Sequence, residues 1–291
     1  MIVTLTPNPA IDRTLAVSAL VRGAVHRAAA PVVEASGKGV NVAKALLANG
    51  HAAKAVLPAD GRLVGLLRAA GVPCEVIDRA VRTNVSLVEP DGTVTKINEP
   101  GPRLSDADRR WLLATTLAQG GDIIAASGSL PPGLPADFYA ELVDRADRPV
   151  AVDTSGDALK AVADAGPWLL KPNLDELAEL VGRRPQTLAD VVEAAHALSA
   201  QTVLVSLGAD GAILVDDSGA THGEVRVDRP RNTVGAGDAL LAGFLAGGFS
   251  EALAYAAAAV RHVGTHAPPV TAADRGAVRV HPAIDSGREL A

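Results

Sequence analysis

The segment of this chain with the clearest chemical meaning is NTVGAGDALLAGF, residues 232–244. In it Gly235 and Gly237 flank Ala236; Asp238 follows at once and an apolar helix begins. The glycines let backbone N–H groups turn toward one point, and a helix start adds partial positive charge, so the segment predicts an anion site. A carboxylate beside an anion is electrostatically unfavourable, so we interpret Asp238 as a base for an attacking hydroxyl. The alternative is a glycine turn with an acidic first helical turn.

A second candidate site is KPNLDEL, residues 171–177, which ends a predicted strand and opens a predicted helix. Asn173 and Glu176 are three residues apart, so they share a helical face. Amide and carboxylate oxygens in that arrangement suit a magnesium ion held through its waters. The same residues at the same spacing also form an N-cap and its capping-box partner. The motif alone does not decide between these two interpretations.

Three loops have weaker signals. SLGADG (206–211) leaves a strand into a glycine turn, where the backbone could approach a ribose or simply form a β-turn. GSLPPG (128–133) follows a strand, where loops line the ligand crevice of a parallel sheet or act as rigid connectors. SGKGVN (36–41) presents backbone amides and a lysine at a helix start, which suits a substrate hydroxyl, a phosphate or a plain helix cap.

Several other chemistries have little support. The sequence has neither GxxxxGK[ST] nor an early GxGxxG, which argues against a P-loop kinase and a dinucleotide-binding enzyme. Cys74 is the only cysteine, which excludes an internal disulfide and a cysteine-based metal site. His262 and His266 are four residues apart, but no third ligand is evident, so we do not predict a zinc site.

Composition sets the class of protein. The chain has 291 residues, 48% of them hydrophobic, and a formal net charge of −6, which fits one large or two small domains and argues against nucleic acid as a partner. No apolar run reaches transmembrane length, and the N-terminus lacks signal-peptide character, so we expect a cytoplasmic protein with no membrane partner. Aromatic residues are only 2%, so aliphatic groups and backbone would hold an adenine or a sugar.

Strands and helices alternate in a way that predicts a parallel sheet covered on both faces. The predicted strands are 2–6, 53–57, 122–127, 150–153, 169–171 and 202–206. The predicted helices are 37–50, 63–70, 105–117, 135–145, 157–163, 174–180, 187–199, 238–247 and 251–265. Residues 84–98 instead alternate with period two around Pro90-Asp91-Gly92, which predicts a hairpin. We expect this hairpin and residues 14–17 to form a small separate β layer, a lid.

Taken together and in order, eight segments of the chain resemble the ribokinase-like (phosphofructokinase B) carbohydrate kinases, in the branch of 1-phosphofructokinase and tagatose-6-phosphate kinase. These segments are TLTPNPAID, SGKGVNVAKAL, RTN, TKINEPGP, SGSLPPG, KPNLDEL, SLGADGA and NTVGAGDA. The match spans residues 1–265. The resemblance implies a single ribokinase-like domain over residues 1–291, a three-layer α/β/α sandwich with a mostly parallel sheet and a β lid formed by about residues 13–34 and 84–99.

The resemblance also implies residue roles in transfer of the γ-phosphoryl group of ATP to a sugar hydroxyl. Asp238 is the general base, and the amides of Gly235, Ala236 and Gly237 form the anion hole. Asn173 and Glu176 organise Mg²⁺ indirectly through water. The predicted nucleotide-binding residues are Lys171, Asn173, Glu176, Ser206, Gly208 and Gly211. The predicted sugar-binding residues are Asp12, Gly37, Lys38, Asn41, Arg82, Lys96 and Ser129. Within that set, Lys38, Arg82 and Lys96 would surround a phosphate already on the substrate.

Two departures from the family pattern bear on specificity. Residues 57–65 are shorter and poorer in glycine than is usual near the sugar. Asn232 stands where ribokinases often have an aspartate that helps bind a monovalent cation, so potassium dependence stays open. We expect a ketohexose phosphate as substrate, fructose 1-phosphate before tagatose 6-phosphate or fructose 6-phosphate. The alternatives are a kinase of an unphosphorylated sugar or nucleoside, and a sugar-phosphate-binding regulator without activity. We also expect a homodimer built through the hairpin.

Overall fold

A computed structural model describes residues 1–227, 234–262, 268–281 and 283–290. Its strands are β1 (Ile2–Leu5), β2 (Ala10–Ala16), β3 (Val32–Ser36), β4 (Ala53–Ala59), β5 (Cys74–Asp78), β6 (Arg82–Val88), β7 (Val94–Asn98), β8 (Ile123–Ser127), β9 (Val150–Asp153), β10 (Leu169–Leu170), β11 (Thr202–Ser206), β12 (Ala212–Asp216), β13 (Gly219–Val225) and β14 (Val278–His281). Its helices are α1 (Lys38–Ala48), α2 (Gly61–Ala69), α3 (Asp106–Ala118), α4 (Phe138–Arg145), α5 (Gly156–Ala163), α6 (Leu174–Val181), α7 (Leu188–His196), α8 (Ala236–Gly247), α9 (Phe249–Arg261) and α10 (Ala272–Gly276).

Most of the strands join one sheet. Across the described residues it has ten strands in the order β14-β13-β12-β11-β10-β9-β8-β1-β4-β5. From β5 to β11 every neighbouring pair is parallel, whereas β12, β13 and β14 add an antiparallel edge. Parallel strands run in the same direction, so their carboxyl ends all lie at one edge of the sheet.

Helices cover both faces of this sheet. The helices α1, α2, α8 and α9 pack on one face, and α3 to α7 pack on the other. Strand β1 contacts both helical layers. Ile2 packs into the hydrophobic core beneath α1, α2, α8 and α9, whereas Val3 and Leu5 pack into the core beneath α3, α4 and α5. A strand buried on both faces is therefore a continuous apolar run. The structure confirms the predicted three-layer α/β/α class with a mostly parallel sheet.

A second sheet stands apart from the first, with the order β3-β2-β6-β7. The predicted hairpin is present as β6 and β7, with Ser86 opposite Lys96. Strand β2 pairs in parallel with β6, beginning at Ala10 opposite Arg82. The sheet therefore starts a few residues before both predicted segments of the lid, since β-ladder pairing continues to its base. Asp12, Asn84 and Ser86 share one face by this register, and Ile11, Val85 and Ile97 share the other.

The predicted elements ahead of residue 250 are present, and their ends differ by three residues or fewer, except that β2 begins four residues before the predicted segment 14–17. Strand β5, the antiparallel strands β12 to β14 and helix α10 were not predicted from the sequence. Strands β5, β13 and β14 mix half-buried and exposed positions, so they lack the continuous apolar signal of the central strands. Strand β12 is a short, mostly buried apolar run that was not recognised as a strand. Helix α10 is only five residues long and is defined by a capping box between Thr271 and Asp274.

Candidate active site

The candidate site lies at the carboxyl edge of the parallel strands, where ligands bind in open α/β sheets. Strand β9 ends at Asp153, Lys171 directly follows β10, and β11 ends at Ser206. Gly128 directly follows β8, and its carbonyl accepts hydrogen bonds from the buried Tyr139 and Thr154 hydroxyls at 2.8 and 2.9 Å. These bonds fix the start of the GSLPPG loop in the crevice.

Helix α8 begins at the predicted anion site. Gly235 is its N-cap residue with φ of 78°, a left-handed conformation that glycine adopts without steric cost, and no side chain caps the helix. The first N–H groups of a helix have no intrahelical partner, so they remain available to an anion. A Cβ on Gly237 would lie 3.4 Å from the Lys171 ammonium, which places this lysine directly beside the helix start.

Asp238 lies in the first turn of α8 and is buried. Its Oδ2 accepts a hydrogen bond of 2.8 Å from the Asn41 amide on α1. Burial, reinforced by the nearby charge of Asp153, raises the pKa of Asp238 to about 6. A carboxylate whose pKa lies closer to neutrality is a better proton acceptor than an ordinary aspartate. Asn41 holds one carboxylate oxygen and thereby fixes the orientation of the group.

Asp153 joins two of the predicted site lysines. Its Oδ1 is 2.7 Å from Lys38 Nζ and its Oδ2 is 3.0 Å from Lys171 Nζ. Burial alone would raise the pKa of the Asp153 carboxyl, but the two ammonium groups hold it below its usual value. The same contacts act in reverse on Lys38, where burial works against charge but Asp153 raises the pKa above its ordinary value. Asp153 therefore keeps Lys38 cationic and holds both lysine side chains in the crevice.

The predicted magnesium motif adopts the capping box. Asn173 Oδ1 accepts from the Glu176 backbone N–H at 2.8 Å, and Glu176 Oε2 accepts from the Asn173 N–H at 2.9 Å. This leaves Glu176 Oε1 outside the box, so the two interpretations of the motif are compatible. A β-bridge pairs Asn173 with Ser206, and Gly208–Asp210 then forms one 3-10 turn that ends before Gly211. The motif and the SLGADG loop are therefore adjacent.

The four-stranded sheet β3-β2-β6-β7, here named the lid sheet, contributes a second group of polar residues. Asn84 Nδ2 donates to Asp12 Oδ1 at 3.0 Å across β2 and β6. Arg82 is half-buried, its Nη1 donates to the Glu99 carbonyl at 3.1 Å, and its buried Nε has no hydrogen-bond partner among the described residues. Burial lowers the pKa of Arg82, against the opposing charges of Asp12 and Glu99.

The structure groups the predicted residues in two sets. One set is joined by direct contacts around the α8 start: Lys38, Asn41, Lys171, Gly237 and Asp238. The other set lies on the lid, where Asp12 and Arg82 are close and Lys96 is exposed on β7. Lys38 turns its ammonium toward Asp153. Gly37 is the N-cap residue of α1, and Ser129 contacts Asn8.

Asp153 was not predicted as a site residue, although it ends a predicted strand at the sheet edge that lines the crevice. Asn8 and Asn84, which lie inside the motifs TLTPNPAID and RTN, were not predicted as site residues either. Two earlier points fall on residues outside the described part of the chain, namely the possible cation residue Asn232 and the histidine His266.

Among the described residues, no group of three or more His, Cys, Asp and Glu side chains is arranged to hold a metal ion. In the same residues, no helix has the length and apolar character to cross a membrane.

A buried aspartate at a helix start, beside two lysines and at the open edge of a doubly covered sheet, is the arrangement expected of an α/β phosphotransferase that acts on a hydroxyl group. Residues 6–271 match the family described as pfkB family carbohydrate kinase. The chain belongs to this family, which confirms the predicted resemblance and the predicted class, an ATP-dependent carbohydrate kinase.

Relatives of known activity cover most of the chain. A 1-phosphofructokinase of Haloferax volcanii is 40% identical over 260 residues, which cover 84% of this chain and 83% of that protein. A 1-phosphofructokinase of Rhodobacter capsulatus is 39% identical over 297 residues, covering 92% and 93%. The crystal structure of phosphofructokinase-2 from Escherichia coli in complex with fructose-6-phosphate has a TM-score of 0.85 and 30% identity, with 94% of this chain and 96% of that chain covered.

Proposed function

We propose that this chain transfers the γ-phosphoryl group of ATP to a ketohexose phosphate, fructose 1-phosphate first, to give a bisphosphate. The observation that carries the chemistry is the buried Asp238 at the start of α8, held by Asn41 and with its pKa raised to about 6. The two relatives named above are 1-phosphofructokinases, which supports the choice of sugar.

In this proposal the sugar hydroxyl lies against Asp238, which accepts its proton as the bond to phosphorus forms. Phosphoryl transfer has a loose transition state, so positioning and charge stabilisation contribute most of the catalysis. The N–H groups of Gly235, Ala236 and Gly237 and the ammonium of Lys171 would stabilise charge on the transferred group. Lys38 and Lys171, both anchored by Asp153, are held in place before the nucleotide arrives.

Magnesium fits the motif of Asn173 and Glu176, because Glu176 Oε1 is not used in the capping box and hard oxygen ligands suit this ion. When bound through its waters near these residues, Mg²⁺ would neutralise phosphate charge. Ser206, Gly208 and Gly211 would lie along the nucleotide, next to this motif.

The substrate's own phosphate would lie against the polar face of the lid, which we propose folds over the sugar. Arg82 supports this position, since its half-buried guanidinium keeps a buried Nε without a hydrogen-bond partner among the described residues. A phosphate oxygen would satisfy that donor with a charge-assisted bond. Asp12, Asn41 and Ser129 would hold sugar hydroxyls, with Lys96 at the outer margin.

We expect Arg82→Ala to lower kcat/KM for fructose 1-phosphate by about tenfold to a hundredfold, the range of a lost hydrogen bond to a charged group. The value for free fructose, which has no phosphate to bind, should change little. Coupled assays with fructose 1-phosphate, fructose 6-phosphate, tagatose 6-phosphate and fructose measure this. Arg68→Ala, an exposed arginine of α2, is the control. Equal use of fructose and its phosphates, or an equal loss for both in Arg82→Ala, would contradict the proposal, and no turnover of any sugar would favour a regulator.

We expect Glu176→Gln to raise the magnesium concentration needed for half-maximal activity without lowering the thermal unfolding temperature. Glutamine still serves in a capping box, so the helix start should survive while the carboxylate charge is lost. Asp190→Asn is a matched control, because Asp190 completes the capping box of α7 with Thr187. A magnesium response equal to that of the wild type would show that Glu176 acts only as a cap.

We propose a homodimer through the lid sheet. Of the exposed large apolar side chains among the described residues, most lie in or beside this sheet: Leu20, Val21, Val25, Val32, Val94 and Ile97. Exposed apolar patches and sheet edges favour association. We expect light scattering at micromolar concentration to give twice the chain mass, and Ile97→Lys to give the monomer mass. Val280→Lys, at the far edge of the main sheet, should stay dimeric. A monomeric wild type would defeat this proposal.

A further inference from the structure

Asn8, in the link between β1 and β2, has a side chain that the proposed chemistry does not use. It is 3% exposed. Its Nδ2 donates to the Pro100 carbonyl at 3.0 Å and to Ser129 Oγ at 3.3 Å. Pro100 lies in the link from β7 to α3, and Ser129 lies in the crevice loop after β8. One buried amide therefore connects two of the links between the lid sheet and the main sheet, and it connects both to the Ser129 loop, which we propose lies at the sugar end of the site.

The contact around Asn8 has almost no free space. A Cβ on Gly101 would lie 2.2 Å from Asn8 Oδ1 and 3.1 Å from its Cγ, so only a glycine lets the link from β7 approach so closely. Gly101 also has φ of 95°, in the region that favours glycine. Asn8 Nδ2 has two partners, whereas the buried Oδ1 has none among the described residues. The donor side of this amide therefore specifies the arrangement of the segments it joins, because another arrangement would leave the buried Nδ2 unpaired as well.

We propose that Asn8 is a positioning residue, a clasp that fixes the lid sheet at its base relative to the Ser129 loop. The lid is attached to the main domain by short links, and Asn8 lies in the first of them and bonds to the last. A lid held at its base covers the bound sugar in one orientation and keeps water away from the phosphoryl group. This inference rests on the proposed function, in which the small sheet closes over the sugar.

Loss of the Asn8 contacts should uncouple ATP hydrolysis from phosphoryl transfer to the sugar. In Asn8→Ala we expect the number of ATP molecules hydrolysed per sugar phosphorylated to rise by about tenfold, with kcat for transfer lowered by a similar factor. A residue that only adds stability would change the unfolding temperature without changing this ratio. In the unliganded protein, amide hydrogen exchange should become faster in β6 and β7 and stay unchanged in β9 and β11.

Two glycines provide a matched pair of variants. Gly101→Ala and Gly50→Ala introduce similar strain, since φ is 95° and 81°, but the space around Gly50 is open and this residue follows α1, outside the lid sheet. We expect Gly101→Ala to reproduce the effects of Asn8→Ala and Gly50→Ala to keep wild-type exchange in β6 and β7. If Asn8→Ala fails to fold, this pair decides the question. Asn49→Ala removes a comparable side-chain bridge, from α1 to Val270, away from the lid and should leave coupling unchanged.

The two readouts separate this inference from the proposed function. Faster exchange in the lid of both Asn8→Ala and Gly101→Ala supports the clasp, even if the wild type phosphorylates no sugar and the proposed function fails. Wild-type exchange in β6 and β7, or an unchanged ratio of hydrolysis to transfer in an active enzyme, overturns the clasp and leaves the proposed function intact.

Discussion

Replacing Asp238 by asparagine should lower kcat by about 10² or more, the contribution expected of a positioned general base. Asparagine has the same shape and keeps an oxygen that can accept the hydrogen bond from Asn41, so the helix start and the binding of both substrates should survive. The missing property is proton acceptance. Steady-state kinetics with the preferred sugar phosphate, together with calorimetric binding of each substrate, measure the two effects separately.

The pH dependence of the wild type gives an independent test of the same residue. The pKa of Asp238 is raised to about 6 in the folded protein, so the group is protonated below that pH and cannot accept a proton. We therefore expect kcat to rise with pH through about 6 and to level off above it. Asp238→Asn should lose this acidic limb. A variant with most of the wild-type turnover, or one that keeps the limb, would exclude Asp238 as the base.

The second large effect is expected from Asp153→Asn. Asp153 and Lys171 are both buried, and removing the carboxylate leaves the Lys171 ammonium without its ion-pair partner. Breaking a buried pair in this way costs about 3 kcal/mol in the free energy of unfolding. Lys38 loses its anchor as well, so we expect kcat/KM for ATP to fall by about 10². Denaturant unfolding and steady-state kinetics check the two expectations.

The same variant should also move the acidic limb. The Asp153 charge helps to raise the pKa of Asp238, so its removal should shift the rise in kcat to lower pH. Asp108→Asn is the control, because Asp108 is also buried and paired, 2.7 Å from Arg79, but lies outside the crevice. It should lose stability and keep its turnover. Wild-type kinetics in Asp153→Asn would show that the two lysines need no carboxylate anchor.

The sequence alone was sufficient for the strands and helices of the parallel part of the sheet, apart from its edge strand β5. Strands buried on both faces must be continuous apolar runs, and the crossover helices between them need caps and amphipathic spacing, so both elements have local signals. Strands β13 and β14 were missed because they mix half-buried and exposed positions and have no such run. Strand β12 is a short apolar run that pairs with β11 and β13, its neighbours in the chain, and it was not recognised as a strand.

Local signals likewise indicated individual functional groups. The glycines around Ala236 predicted the helix start. A capping box was one of the two interpretations of Asn173 and Glu176, and the structure contains it. Such features depend on residues a few positions apart, where backbone geometry is nearly independent of the rest of the fold.

Tertiary structure decided which groups meet. Asp153 is 115 residues from Lys38 in the sequence and Asn41 is 197 from Asp238, yet both pairs are in contact. Lys38, which the sequence suggested for the substrate's phosphate, pairs with Asp153, while Arg82 stays on the lid beside Asp12. Residue types and local spacing determine what a side chain can do chemically. The assembly of strands that are distant in the sequence into one sheet edge determines the burial and the neighbours of each side chain. Burial and neighbours in turn set the pKa of Asp238 and the partner of each charge.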